Sequence, residues 1–308
     1  MTQPAKGFIP VMLMPFQNDG QIDYPALTRL TEMYLEAGAA GLFANCLSSE
    51  MFELSAEERL QSIRHVVGVA GGAVPVVATG TFAGTLEEQA DFVKQVYEAG
   101  TDAVIAITGL LADQSASDAA FDERIFRLLD QTAGVPLGFY ECPEPYKRVL
   151  SAEQLGQFVA TGRVTYHKDT CLDIKQVQAK LAATQGHTFG LYDAYMGHAV
   201  ESLRAGAAGL SCIQGNFFPE LIVWLCHNYD NLDLAKEVEE VQQFFIKNMG
   251  VMHDVYPTIA KYSLKQRGME ISTFTRRKVG DFSSSIRRGV ETLCGDYSAL
   301  SRSLELVY

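Results

Sequence analysis

The chain lacks any block of lysine and arginine, and its formal net charge at pH 7 is −12. A polyanion partner needs clustered positive charge, so the balance argues against nucleic-acid binding. Long apolar runs are missing too. The first apolar stretch, Phe8–Phe16, is interrupted by Pro10 and Pro15 and is too short to span a bilayer. No basic segment and apolar core of secretory type precede it. The expectation is a cytoplasmic protein with no membrane partner. The six cysteines (Cys46, Cys142, Cys171, Cys212, Cys226 and Cys294) form no CxxC pair and read as reduced thiols. There is no HExxH, and the six histidines show no ligand spacing, so no metal and no cofactor is expected. No G-x-G-x-x-G follows the first strand candidate, which counts against a dinucleotide-binding domain. No Pro/Gly/Ser-rich linker marks a domain boundary.

What remains is a regular alternation. A hydrophobic fraction of 47% and 26 glycines are ordinary for a globular enzyme, and 308 residues suffice for one large barrel or two modest domains. Short apolar runs fall at Phe8–Leu13, Gly41–Ala44, Val74–Thr79, Ala103–Ile107, Val135–Tyr140, Val164–His167, Thr188–Leu191 and Gly209–Cys212. Amphipathic segments separate them. Asp23 caps the first, and capping boxes at Ser55, Thr85 and Ser151 open three more. Segments 121–131, 174–183 and 196–204 continue the series, and Pro219 opens the eighth. Uniformly apolar strands suit a sheet covered on both faces. Ala37-Gly38, Ala99-Gly100 and Ala205-Gly206 each stand at a helix end just before a strand, where glycine supplies a left-handed cap. Eight right-handed strand–helix units predict a (β/α)8 TIM barrel over 1–225. Helical spacing at 234–249, 256–267 and 290–304 predicts a C-terminal helical extension over 226–308. An open doubly wound sheet is the alternative.

In such a barrel the chemistry sits at the C-terminal ends of the strands. Lys168 is the only lysine at a predicted strand end. Desolvation there lowers an amine's pKa, and a free amine attacks a ketone to form an imine, an electron sink for C–C cleavage or formation. The bland alternative is an ion pair with Asp169 or Asp193. Tyr140 ends the neighbouring strand; it is either a packed aromatic or a proton-transfer partner for Lys168. Ser48 and Ser49, flanked by Leu47 and Glu50, offer hydroxyl and N–H groups to a carboxylate, or form only a polar turn. Glu50 is a hydrogen-bond acceptor behind that loop or a solvated charge. Asp193 and Ser211, at the ends of the last two strands, complete the substrate-binding candidates. His167 alternates with Lys168 and is expected to face the helices.

These residues resemble the dihydrodipicolinate synthase / N-acetylneuraminate lyase family of class I aldolases over nearly the whole chain. Lys168 matches the family's imine-forming lysine. Tyr140, in Tyr140-Glu141-Cys142-Pro143, matches its proton-shuttling tyrosine. Cys46-Leu47-Ser48-Ser49-Glu50 stands where the family has Gly-Thr-Thr-Gly-Glu. The resemblance implies a Schiff-base lyase or aldolase acting on pyruvate or another 2-oxo acid, with an aldehyde or a keto-deoxy sugar acid as the other substrate. It also implies a homo-oligomer, dimer or tetramer. Departures are specific. Leu47 replaces a threonine, Leu110-Leu111 stand where a relay tyrosine would fall, Glu141 replaces an asparagine and Pro145 an arginine. They point away from a lysine-biosynthetic synthase. A barrel that binds a 2-oxo acid or sugar acid without turnover is the second hypothesis. A metal-dependent aldolase, the third, lacks a clustered His/Glu set.

Overall fold

Pro10 cannot donate to a strand ladder, and it shapes the start of the fold. The expected first strand, 8–13, is reduced to β1 (Gly7–Phe8), followed by an isolated parallel bridge from Val11 to Phe43. The structure, a computed structural model describing residues 6–306, continues with β2 (Leu42–Phe43), β3 (Val76–Thr79), β4 (Ala103–Ile107) and β5 (Leu137–Tyr140). β6 (Val164–Asp169), β7 (Gly190–Asp193) and β8 (Gly209–Leu210) complete the set. All eight are parallel, in the order β1-β8-β7-β6-β5-β4-β3-β2. The Val11–Phe43 bridge, with Met12 N–H donating to Phe43 O at 3.1 Å, joins the ends of that order into a closed barrel. β6 runs two residues past its expected end because both neighbours pair with it that far: Lys168 sits opposite Tyr140 and Asp169 opposite Asp193.

The helices follow the strands as the sequence pattern requires. α1 (Tyr24–Glu36) is capped by the Asp23 carboxylate on Ala26 N–H. α2 (Ala56–Ala70), α3 (Leu86–Glu98) and α5 (Ala152–Ala160) open on the reciprocal capping boxes of Ser55/Glu58, Thr85/Glu88 and Ser151/Gln154. α4 (Asp118–Gln131), α6 (Ile174–Ala183), α7 (Ala199–Arg204) and α8 (Pro219–Asn228) complete the outer ring. α8 runs through position 225, so the barrel's last helix continues into the segment assigned above to the extension. Gly38, Gly100 and Gly206 all have positive φ just after a helix, which is the role their Ala-Gly setting predicts. α9 (Ala235–His253), α10 (Thr258–Gln266) and α11 (Ser284–Ser303) form the helical extension.

Strand parity divides the apolar residues into two cores. Ile9, Val11, Phe43, Val77, Ile105, Ile107, Tyr140, Tyr166 and Tyr192 fill the barrel. Their sequence neighbours Ala78, Val104, Ala106 and Phe139 pack outward against the helices, as does Leu210. No helix among the described residues is long and apolar enough to cross a membrane.

Closure is tightest at Gly209. A Cβ there would lie 1.7 Å from the Gly7 carbonyl oxygen, so β1 and β8 could not stay paired. Gly209→Ala should destabilise the protein by about 3 kcal/mol or more, as overpacking against backbone does. Urea unfolding checks this.

Candidate active site

Parity also sorts the chemistry. Along β6, Tyr166 and Lys168 point into the barrel while His167 and Asp169 point at the helices. On β5, Tyr140 points in and Glu141 points out. The outward side chains form a buried cluster. Lys180 Nζ, on α6, lies 2.6 Å from both Glu141 Oε1 and Asp169 Oδ2. His167 Nε2 is 3.2 Å from Glu141 and 3.6 Å from Asp169. Burial disfavours every charge here, but the opposite charges outweigh it. The Glu141 and Asp169 carboxyls are held below their usual range, and the pKa values of His167 and Lys180 are raised. Glu141, His167 and Asp169 also offer ligand atoms within 4.8 Å of one another, a grouping the sequence did not show. The cationic charge at that point is the ammonium of Lys180.

Among the described residues, no carboxylate pairs with Lys168 on the inner face. Asp169 is turned away, and Asp193 lies 2.9 Å from His198 Nε2 and accepts from Tyr195 N–H. The structural ion-pair alternative for Lys168 is thereby removed. Its Nζ instead sits 4.1 Å from the centre of the Tyr140 ring. Burial dominates its titration and lowers its pKa; Lys147 adds in the same direction, against the Cys46, Cys142 and Cys212 thiols. Those thiols are buried, and burial pushes Cys142 up to about 11 and Cys212 to about 12, so they are neutral. Burial also raises the Tyr140 phenol well above its usual value, so it holds its proton. Phe43 fixes the Tyr140 ring edge-on at 5.8 Å.

Lys168 and Tyr140 open into a cavity of about 340 Å³. Leu47 and Ser48 line it, together with Lys147, Thr170 and Ile213. The far wall comes from the extension: Met249, His253, Tyr256 and Arg277. Sequence reasoning missed this wall. Met249 and His253 share one face of α9, and Tyr256 lies in the turn beyond it, but nothing local shows that either meets a barrel mouth. Tyr256 OH donates to Ser48 Oγ at 2.8 Å. The Arg277 guanidinium pairs with Glu144.

Four of the candidate substrate residues lie elsewhere. Ser49 Oγ donates to Met12 O at 2.7 Å and accepts from Cys46 N–H at 3.1 Å, so it braces the loop from within. Glu50 is fully buried; its carboxylate takes Lys261 Nζ at 2.8 Å and Arg277 N–H at 2.9 Å. It is neither a solvated charge nor a pocket group, because it clamps the extension to the loop after β2. Asp193 follows an inward Tyr192 and therefore faces out. Ser211 points inward but accepts from Tyr166 OH at 3.3 Å and does not line the cavity. Four other residues singled out by sequence also lie away from Lys168. Glu141 belongs to the outer cluster. Leu110, Leu111 and Pro145 line a separate cavity of about 390 Å³ with Tyr146 and Asp113.

Comparison with known proteins places this geometry. Residues 4–295 match the Dihydrodipicolinate synthetase family. The chain belongs to that family. Its similarity to curated members is distant. It is 26% identical over 264 residues to the 4-hydroxy-tetrahydrodipicolinate synthase of Hyphomonas neptunium, covering 85% of this chain and 88% of that one. A Ruegeria pomeroyi enzyme of the same name is 26% identical over 277 residues, covering 86% and 89%. Among solved structures, a prophage protein of the family from E. coli K12, in complex with pyruvate, superposes with a TM-score of 0.83 at 22% identity, over 98% of this chain and 99% of that one. The chloride-inhibited dihydrodipicolinate synthase of Acinetobacter baumannii, complexed with pyruvate, gives 0.85 at 21% identity, over 96% and 99%. At these identities the superpositions establish the shared barrel.

The outer cluster predicts an acid sensitivity. Glu141 and Asp169 have depressed pKa values, so their contribution to stability is present above the ordinary carboxylate pKa and is lost as pH falls. Lys180→Met strands two buried carboxylates and should cost about 3–5 kcal/mol at neutral pH. Its acid-unfolding midpoint, followed by circular dichroism, should lie at higher pH than that of the wild type.

Proposed function

We propose that the protein is a Schiff-base lyase or aldolase that takes pyruvate or a related 2-oxo acid. The observation that carries this reading is a buried lysine at a strand end that has a lowered pKa, no carboxylate partner and a protonated phenol against it. An ion-paired ammonium is a poor nucleophile; Lys168 is spared that pairing and can present a free amine. Attack on the C2 carbonyl forms a C–N bond, and the carbonyl oxygen gains a proton to give the carbinolamine. Loss of that oxygen as water leaves the iminium on Lys168 Nζ. Tyr140 is the group placed to give and recover the proton at the departing oxygen. Ser48 and the neighbouring backbone N–H groups would hold the 2-oxo acid's carboxylate. The protonated imine then withdraws electrons from C3, so a C3–C4 bond can break or form. Membership of the family supports this assignment, as do the pyruvate complexes of two structural relatives.

The second substrate is proposed to differ from the synthase's usual aldehyde. Leu47 presents no hydroxyl to the cavity, and no tyrosine occupies the Leu110-Leu111 segment. A cavity of about 340 Å³ leaves room beyond a 2-oxo acid bound at Lys168, with Lys147, His253 and Arg277 around it. A hydroxylated or anionic aldehyde, or the sugar acid formed from one, fits these groups. Candidate sugar acids can be screened with a lactate-dehydrogenase-coupled assay for released pyruvate.

Incubation with pyruvate and borohydride should leave a reduced adduct on Lys168, located by peptide mass spectrometry. Lys168→Ala should form none. If no 2-oxo acid gives an adduct, the chain binds without imine chemistry and the proposal is wrong. Tyr140→Phe should slow trapping by about 10²–10⁴-fold. The initial trapping rate should rise with pH as the Lys168 amine is freed and level off below the ordinary lysine pKa of about 10.4. A rise continuing through that value would show an unperturbed lysine.

A further inference from the structure

We infer that Tyr256, from the C-terminal extension, is a positioning residue that sets the direction of the Ser48 hydroxyl and so builds the carboxylate subsite. The inference rests on the 2-oxo acid reading above and extends it to residues outside the barrel strands. Four side chains form one hydrogen-bonded line. Tyr34 OH, on α1, donates to Asn216 Oδ1. The Asn216 amide nitrogen donates to Val11 O at 2.9 Å and to Tyr256 OH. Tyr256 OH donates to Ser48 Oγ at 2.8 Å. Tyr34 and Asn216 are fully buried, and Ser48 is 4% exposed.

The direction of this line follows from donor counting. Val11 O can only accept, so it faces the amide nitrogen of Asn216 and leaves Oδ1 for Tyr34. The second amide hydrogen points at Tyr256 OH. The phenol then has one lone pair engaged and turns its own proton to Ser48. The Ser48 oxygen receives that proton, so its hydroxyl hydrogen is free to point elsewhere. Leu47, Ser48 and Lys168 line the same cavity, which is the open side. A carboxylate accepts hydrogen bonds and cannot donate them. The line therefore fixes Ser48 in the one orientation that suits an anion, with the orientation settled before the ligand arrives. An amide in the line passes no net proton, so its role is polarity and placement, not proton delivery.

Tyr256→Phe keeps the ring and leaves Asn216 Nδ2 its bond to Val11 O. Pyruvate affinity should be measured by calorimetry, together with the pyruvate dependence of borohydride trapping, in wild type, Tyr256→Phe, Ser48→Ala and the double variant. Each single variant should weaken pyruvate about ten-fold, the scale for losing a hydrogen bond to a charged group. The half-saturating concentration should move more than the plateau rate. Because Tyr256 acts through Ser48, adding Tyr256→Phe to Ser48→Ala should cost less than about two-fold more. Wild-type affinity in Tyr256→Phe, or full additivity in the double variant, would overturn the inference. Absence of any adduct in the wild type would instead strike the Schiff-base reading, and the calorimetric comparison would still decide the role of Tyr256.

Discussion

The site depends on where one ammonium group sits. Lys180 lies between Glu141 and Asp169, the two carboxylates that adjoin Tyr140 and Lys168 in sequence. With His167 beside them, both carboxylates are held on the helix side of the sheet. Were those carboxylates free to turn inward, Lys168 would gain a counter-ion. Strand parity provides the separation and Lys180 makes it affordable, since unpaired buried carboxylates would be costly there. The Lys168 amine and the buried ion cluster are thus held back to back, one residue apart.

A second buried pair governs the other side of the pocket. Glu50 and Lys261 are both fully buried, and Glu50 also holds the backbone of Arg277. This ties the loop after β2 to α10 and to the segment beyond it, which brings Tyr256 and Arg277 over the barrel mouth. Both Glu50 carboxylate oxygens are taken by this clamp, which is why the residue stays out of the cavity that Leu47 and Ser48 line. Ser49 plays the same part at shorter range, pinning the loop to the Met12 carbonyl.

The fold was legible because its signals are local. Capping boxes, Ala-Gly helix ends and apolar runs each report on a few neighbouring residues, and eight repetitions leave little topological choice. The Lys168–Tyr140 pair was legible for a related reason: the two stand 28 positions apart, room for one helix, and the strand register then puts them opposite each other. Misassignments came where parity had to be known to one residue. Asp193 sits at a strand end as Lys168 does, yet it follows an inward tyrosine and faces out. Glu141 adjoins Tyr140 and lies on the opposite face. Tyr256 and Asn216 were out of reach, because their meaning comes from contacts 208 and 205 residues away along the chain, with Ser48 and Val11. No local pattern encodes such contacts.

The extension's part in the pocket bears on the order of events during synthesis. Lys168 and Tyr140 emerge from the ribosome long before α9 and α10, and domains fold as their segments become available. The strands of the barrel are complete at Leu210, whereas the far wall of the pocket waits for residues 249–277. The pocket around Lys168 is therefore assembled last, when the final quarter of the protein docks on the loop after β2 through Lys261 and Glu50.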